Sequence, residues 1–174
     1  MTRANLMRSF LTRLDARLAA AEERLAAVLL GAALSCMLAG AITRSLGRPL
    51  IWSDELAVLL MVIAAFFASS AAIKGGRHLT VDALLLRLPR AMHRLIEVVL
   101  AVMLVGFAGC LWVWLDPMGL IAAGTGQALA RESGNFTYTE PTMTLGVLKI
   151  WFWLPMIPAT LGALFHALMR VAQC

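Results

Sequence analysis

Residues 56–73 read LAVLLMVIAAFFASSAAI, eighteen positions with no charged side chain. Crossing the roughly 30 Å hydrocarbon core of a bilayer takes about 20 helical residues, so this stretch reads as a membrane span. Three further stretches have the same character: residues 25–43, 98–115 and 150–168, none of which contains Asp, Glu, Lys or Arg. The whole composition agrees. Of 174 residues, 61% are hydrophobic and only 14% charged, with a mean hydropathy of +0.83, whereas soluble domains carry about 45–50% apolar and about 25% charged residues. The sequence predicts an all-α integral membrane protein with four transmembrane helices.

Charge orients the spans. Residues 1–24, the second connection and Arg170 after the fourth span supply eleven Lys and Arg, against four in the first and third connections. The positive-inside rule therefore predicts both termini in the cytoplasm, and it makes the net charge of +5 a topology signal rather than a nucleic-acid footprint. Trp52, Trp112, Trp114, Trp151 and Trp153 all fall at span ends assigned to the outer face, as an interfacial aromatic belt requires. A cleaved signal peptide is the competing reading of residues 25–43. The preceding segment is long and contains Asp15, Glu22 and Glu23, unlike a short basic n-region, so the segment reads as a retained span.

The remaining segments divide the chain into 1–24, a membrane domain over 25–170, and a tail at 171–174. In the first, Met7, Leu11, Leu14, Leu18 and Ala21 recur at helical spacing while Arg8, Arg13 and Arg17 take the other side. This predicts an amphipathic helix lying on the membrane with its arginines at phospholipid headgroups, or else docked on a partner protein. In the second connection Thr80 suits a helix cap, Val81, Leu84, Leu85 and Leu88 form an apolar stripe with Arg87 off it, and Pro89 ends the piece. A short cytoplasmic-side surface helix is expected there, followed by Arg90 and Arg94 at the inner surface. Residues 116–140, rich in Gly, Thr and Ser, read as an outer loop. Pro155 and Pro158 predict a kink in the fourth span.

Chemistry is scarce. A transporter acting alone needs polar groups near the bilayer midplane, and the first three spans offer only Ser35, Thr43, Ser69 and Ser70, which can all bond their own backbone. A haem anchor needs paired histidines at matched depth, but His78 and His93 lie in the inner connection and His166 is the single histidine of its span. Cys36, Cys110 and Cys174 are scattered without metal-ligand spacing. His78 and Asp82, four apart, suit an ion pair or a cap. No enzyme activity, cofactor or metal is expected. The cluster Trp52-Ser53-Asp54-Glu55 before the second span is less bland. Ser53 can cap that helix, with Asp54 and Glu55 at its positive end, or the group can contact a partner.

The pattern Trp52-x-Asp54-Glu55-Leu56-Ala57, a long apolar span, then Gly76-Arg77-His78-Leu79-x-Val81-Asp82 and later Leu88-Pro89 resembles the small membrane subunit of TRAP (tripartite ATP-independent periplasmic) transporters of bacteria and archaea. The resemblance covers about residues 22–170. Phe66-Phe67-Ala68-Ser69-Ser70 departs from it, replacing a small glycine-containing step and with it the close helix contact expected there. The resemblance implies an inner-membrane partner of a large transport subunit, which holds the sodium and substrate sites, and of a periplasmic substrate-binding protein that captures a carboxylate such as sialic acid. The small subunit would widen the fixed scaffold and help form the docking surface. The runner-up from a different class is a membrane anchor for a redox enzyme.

Overall fold

The computed structural model describes residues 3–75 and 90–171. Seven helices follow in chain order among them: α1 (Arg3–Ser45), α2 (Ile51–Gly75), α3 (Arg90–Leu115), α4 (Pro117–Ala123), α5 (Gly126–Ser133), α6 (Ile150–Trp153) and α7 (Met156–Val171). The four expected spans are present as helices long and apolar enough to cross a membrane. We call the end where α1 begins and α7 finishes proximal, and the other distal. The short surface helix expected before Pro89, with His78, Asp82 and Arg87, lies outside the described residues, as do the side chains of Arg90 and Arg94.

The segment before residue 25 is helical as expected, but it is continuous with the first span. No Gly or Pro interrupts residues 3–30, so nothing ends the helix before the apolar run begins. At 43 residues α1 is about 65 Å long, roughly twice the hydrocarbon thickness. Its buried positions are Asp15, Glu22, Ala26, Ala33 and Gly40, a seam spaced seven, four, seven and seven as in packed helix pairs. Met7, Phe10 and Leu14 are largely exposed, and Arg8, Arg13 and Arg17 are exposed as well.

A helix-ending turn then reverses the chain. Arg48 N–H donates to Thr43 O at 2.9 Å and Gly47 N–H to Arg44 O at 3.2 Å, with Gly47 at φ 74°. This is the left-handed cap that glycine supplies without steric cost. Antiparallel to α1, α2 forms the broadest helix–helix interface of the bundle, and α7 packs on α2, α1 and α3. The core where α1, α2 and α7 meet is Ala26, Ile63, Phe67 and Ala159, with Leu29, Phe66 and Phe152 against it. Phe67 thus fills the centre, and Ala159, Gly162 and Ala163 of α7 present a buried face of small residues to it. Phe66 stacks on Phe107 of α3 with ring centroids 5.9 Å apart.

The fourth span breaks where its prolines predicted. Helix α6 stops at Trp153, two turn residues follow, and α7 starts after Pro155. The outer loop, by contrast, is not structureless. Asp116, at φ 42°, caps α4 by accepting Gly119 N–H at 2.9 Å, with Pro117 in the first helical position. Thr125 caps α5 through Ala128 N–H, and Gly124 and Gly134 end the two helices in the left-handed conformation. Both helices have fewer than nine residues, too short for a hydrophobic period to reveal them against a Gly- and Thr-rich background.

Candidate functional site

Polar side chains gather at two places. At the distal end, Ser53 lies two residues inside α2 rather than at its cap, because the helix starts at Ile51. Its hydroxyl donates to Leu50 O at 2.7 Å and is fully buried against the Cβ-less face of Gly40. Asp54 and Glu55 sit in the first turns of α2 but turn to different partners. Asp54 Oδ2 pairs with Arg44 of α1 at 2.6 Å, both side chains being mostly exposed. Glu55 accepts from Met143 N–H at 2.8 Å, Thr144 N–H at 2.7 Å and the Thr144 hydroxyl at 2.6 Å. It thereby fastens the turn between Pro141 and Leu148 to α2. Nothing in the local sequence links Glu55 to a turn some ninety residues away.

Aromatic residues complete this end. Trp114 and Trp153 meet edge to face at 5.7 Å, and Asn135 Nδ2 donates to Trp114 O at 3.0 Å. Trp52 is exposed. Burial, and then the Asp116 carboxylate, pushes the Tyr138 phenol above its ordinary range.

The proximal cluster was not anticipated. Asp15, Glu22 and His166 are buried together, at 0, 4 and 0% exposure. His166 Nδ1 lies 2.6 Å from Asp15 Oδ1, and Nε2 lies 3.1 Å from Glu22 Oε2. Lys74 of α2 pairs with the other oxygen of Asp15. Arg170 donates to Ile73 O at 2.7 Å, capping the C-terminal end of α2. Gly162 makes the approach possible, since a Cβ there would collide with Glu22 Oε1 and lie 2.9 Å from Ser70 Oγ. Ser35 and Thr43 bond their own backbones as expected, and Thr160 of α7 does so too. Ser70 does not: its hydroxyl is buried without a hydrogen-bond partner. The sequence signal for this cluster was the seven-residue spacing from Asp15 to Glu22, in register with Ala26, Ala33 and Gly40. With both ring nitrogens against carboxylates, His166 has no free nitrogen for a haem iron in this arrangement.

Between the two ends the bundle is apolar apart from hydroxyls bonded to their own backbone, such as Ser35 and Thr160. A groove of about 590 Å³ between α1 and α2 is lined chiefly by alanines, with Glu23 and Lys74 at its proximal end. Four apolar spans around such a core, with the charged side chains toward the ends, define a polytopic all-α membrane protein. Residues 33–174 match the family described as tripartite ATP-independent periplasmic transporters, DctQ component. The chain belongs to that family, and is the small component of such a transporter. Among curated proteins and solved structures, none matches the chain.

Proposed function

We infer that the chain is the non-catalytic small permease subunit of a sodium-coupled, binding-protein-dependent transporter for organic acids in the bacterial inner membrane, where it scaffolds the large transport subunit. The observation that carries this reading is the apolar interior beside membership of a three-part transporter family. A carboxylate substrate would meet only apolar side chains in the core formed by Ala26, Ile63, Phe67 and Ala159, whereas transport sites place polar groups and helix ends at the midplane. Large apolar residues left exposed on every long helix, among them Val28, Val58, Val102, Met103 and Leu161, support a surface shared between lipid and a helical partner.

Co-expression tests the scaffold role. With the large subunit, the chain is expected to survive detergent extraction as a stable complex; alone, it should aggregate. A stable, lone chain that transports by itself would overturn the reading. Within the complex, Asp54→Asn with Glu55→Gln separates the roles open to these side chains. If they face a soluble binding protein, half-saturation for that protein rises while assembly is intact, because charge complementarity governs encounter. Lost copurification would instead place them at the subunit joint, and unchanged uptake would leave only the contacts to Arg44 and to the 143–144 turn.

Topology follows from the same reading. Both termini and residues 74–94 are assigned to the cytoplasm, and residues 44–55 and 116–149 to the outside, from the eleven-to-four split of basic residues. Arg8, Arg13, Arg17, Arg87, Arg90 and Arg94 then face anionic phospholipid headgroups. In intact cells an impermeant thiol reagent should label a cysteine at position 127 and spare one at position 85. The reverse pattern would reject this orientation.

A further inference from the structure

The proximal cluster carries a requirement of its own, independent of the transport reading. His166 presents both ring nitrogens to carboxylate oxygens, Nδ1 to Asp15 and Nε2 to Glu22. A neutral imidazole has one N–H and one bare nitrogen, and an ionised carboxylate only accepts. If the ring is neutral and both acids are ionised, one of the two contacts sets lone pair against lone pair. The three side chains are almost wholly buried, so water does not relieve that conflict. One additional proton removes it.

The surroundings say where that proton goes. Asp15 takes Lys74 on one oxygen and His166 Nδ1 on the other, which holds it as an anion with Nδ1–H donating. The contact left short of a hydrogen is therefore Nε2 to Glu22 Oε2. The other Glu22 oxygen faces the missing Cβ of Gly162, and so does the Ser70 hydroxyl, a buried polar group with no partner. Charge gives the same answer. Lys74, Asp15 and Glu22 sum to one negative charge beside a neutral histidine, and a proton brings the buried cluster to neutrality, the state a low-dielectric site favours. Among the other charged groups nearby, Arg170 is on α7 with its Nη1 on Ile73 O, and Glu23 lines the α1–α2 groove. The side chains of Arg90, His93, Arg94 and Glu97 on α3 are outside the described set. A metal ion does not fit, because the imidazole lies between the two acids and the ligand atoms do not converge; among the described residues no group of side chains is arranged to hold one.

We propose that Asp15, His166 and Glu22 form a buried proton-binding site, in which a single proton bridges His166 Nε2 and Glu22 Oε2 and latches the proximal half of α1 to α7 and α2. No bond to carbon changes and no electron moves; the ligand is the proton alone.

Nitrogen-15 NMR of the full chain, labelled at histidine and held in lipid nanodiscs near neutral pH, tests this. His166→Gln identifies the His166 signals against those of His78 and His93. The site predicts either two protonated ring nitrogens on His166 or one, accompanied by a protonated carboxyl band that Glu22→Gln abolishes in the infrared. A neutral ring with bare Nε2 beside an ionised Glu22 would overturn the proposal. Glu22→Gln gives a second arm, since its amide brings an N–H of its own to Nε2. That variant should keep α1 docked and carry a neutral His166 with one ring N–H. Unchanged extra proton occupancy in Glu22→Gln would contradict the assignment, and the native spectrum remains decisive if the variant fails to fold.

Discussion

Replacing His166 with leucine is expected to destabilise the bundle by about 3–5 kcal/mol, the usual cost of stripping one partner from a buried charged group. The size follows from what remains. Asp15 keeps Lys74, but among the described residues Glu22 has no hydrogen bond besides the one lost with His166. Both acids stay buried, since their Cα positions are fixed on the seam that also buries Ala26, Ala33 and Gly40. Thermal unfolding of the chain in lipid nanodiscs, followed by circular dichroism and by cysteine accessibility on α1, measures the effect. The physical cause has its own check. Removing Asp15, Glu22, Lys74 and His166 together in favour of apolar residues should recover most of the loss, because no uncompensated charge is then left inside. A His166→Leu protein as stable as the native one would mean that the cluster is not buried in the membrane-embedded protein.

Gly40→Val should be the largest effect at the other end, about 1–3 kcal/mol, as expected for overpacking a close contact. A Cβ at Gly40 would press into the buried Ser53 hydroxyl and come to 3.3 Å from Asp54 Oδ1. Ser53 cannot swing away without giving up its bond to Leu50 O. The Arg44–Asp54 pair and the turn from α1 into α2 would shift with it. Gly31 is the matched control, since nothing lies within 4 Å of its Cβ position. Gly31→Val is expected to change stability by no more than about 0.5 kcal/mol. Thermal unfolding of the two variants side by side separates helix packing from any general intolerance of valine in α1.

Much of the architecture was written in local patterns. Hydropathy marked the four spans, and Pro155 marked the break between α6 and α7. Each depends on residues close together in the chain. What local patterns left unread are interactions between segments far apart in the chain. The N-terminal stripe of Met7, Leu11, Leu14 and Leu18 drew attention as the apolar face of an amphipathic helix. The face buried within the protein instead runs through Asp15 and Glu22, whose burial makes sense only with His166 and Lys74 alongside. No spacing within residues 1–24 could announce a histidine 151 residues from Asp15. Ser53 has the right chemistry for a cap, yet the helix begins two residues earlier at Ile51, and Gly40 across the interface explains why a small polar residue stands there. The cluster of Trp52, Asp54 and Glu55 read as one unit, whereas the fold divides it between α1 and a distant turn.

The central claim, a subunit that supports transport without holding the substrate, is tested most directly by uptake of a radiolabelled organic acid into proteoliposomes. Sodium-gradient-driven uptake is expected when the chain, the large subunit and the binding protein are all present, and none with the chain alone. Omitting the chain should abolish uptake or cut it sharply. Uptake by the chain alone, or uptake undiminished when it is left out, would contradict the account.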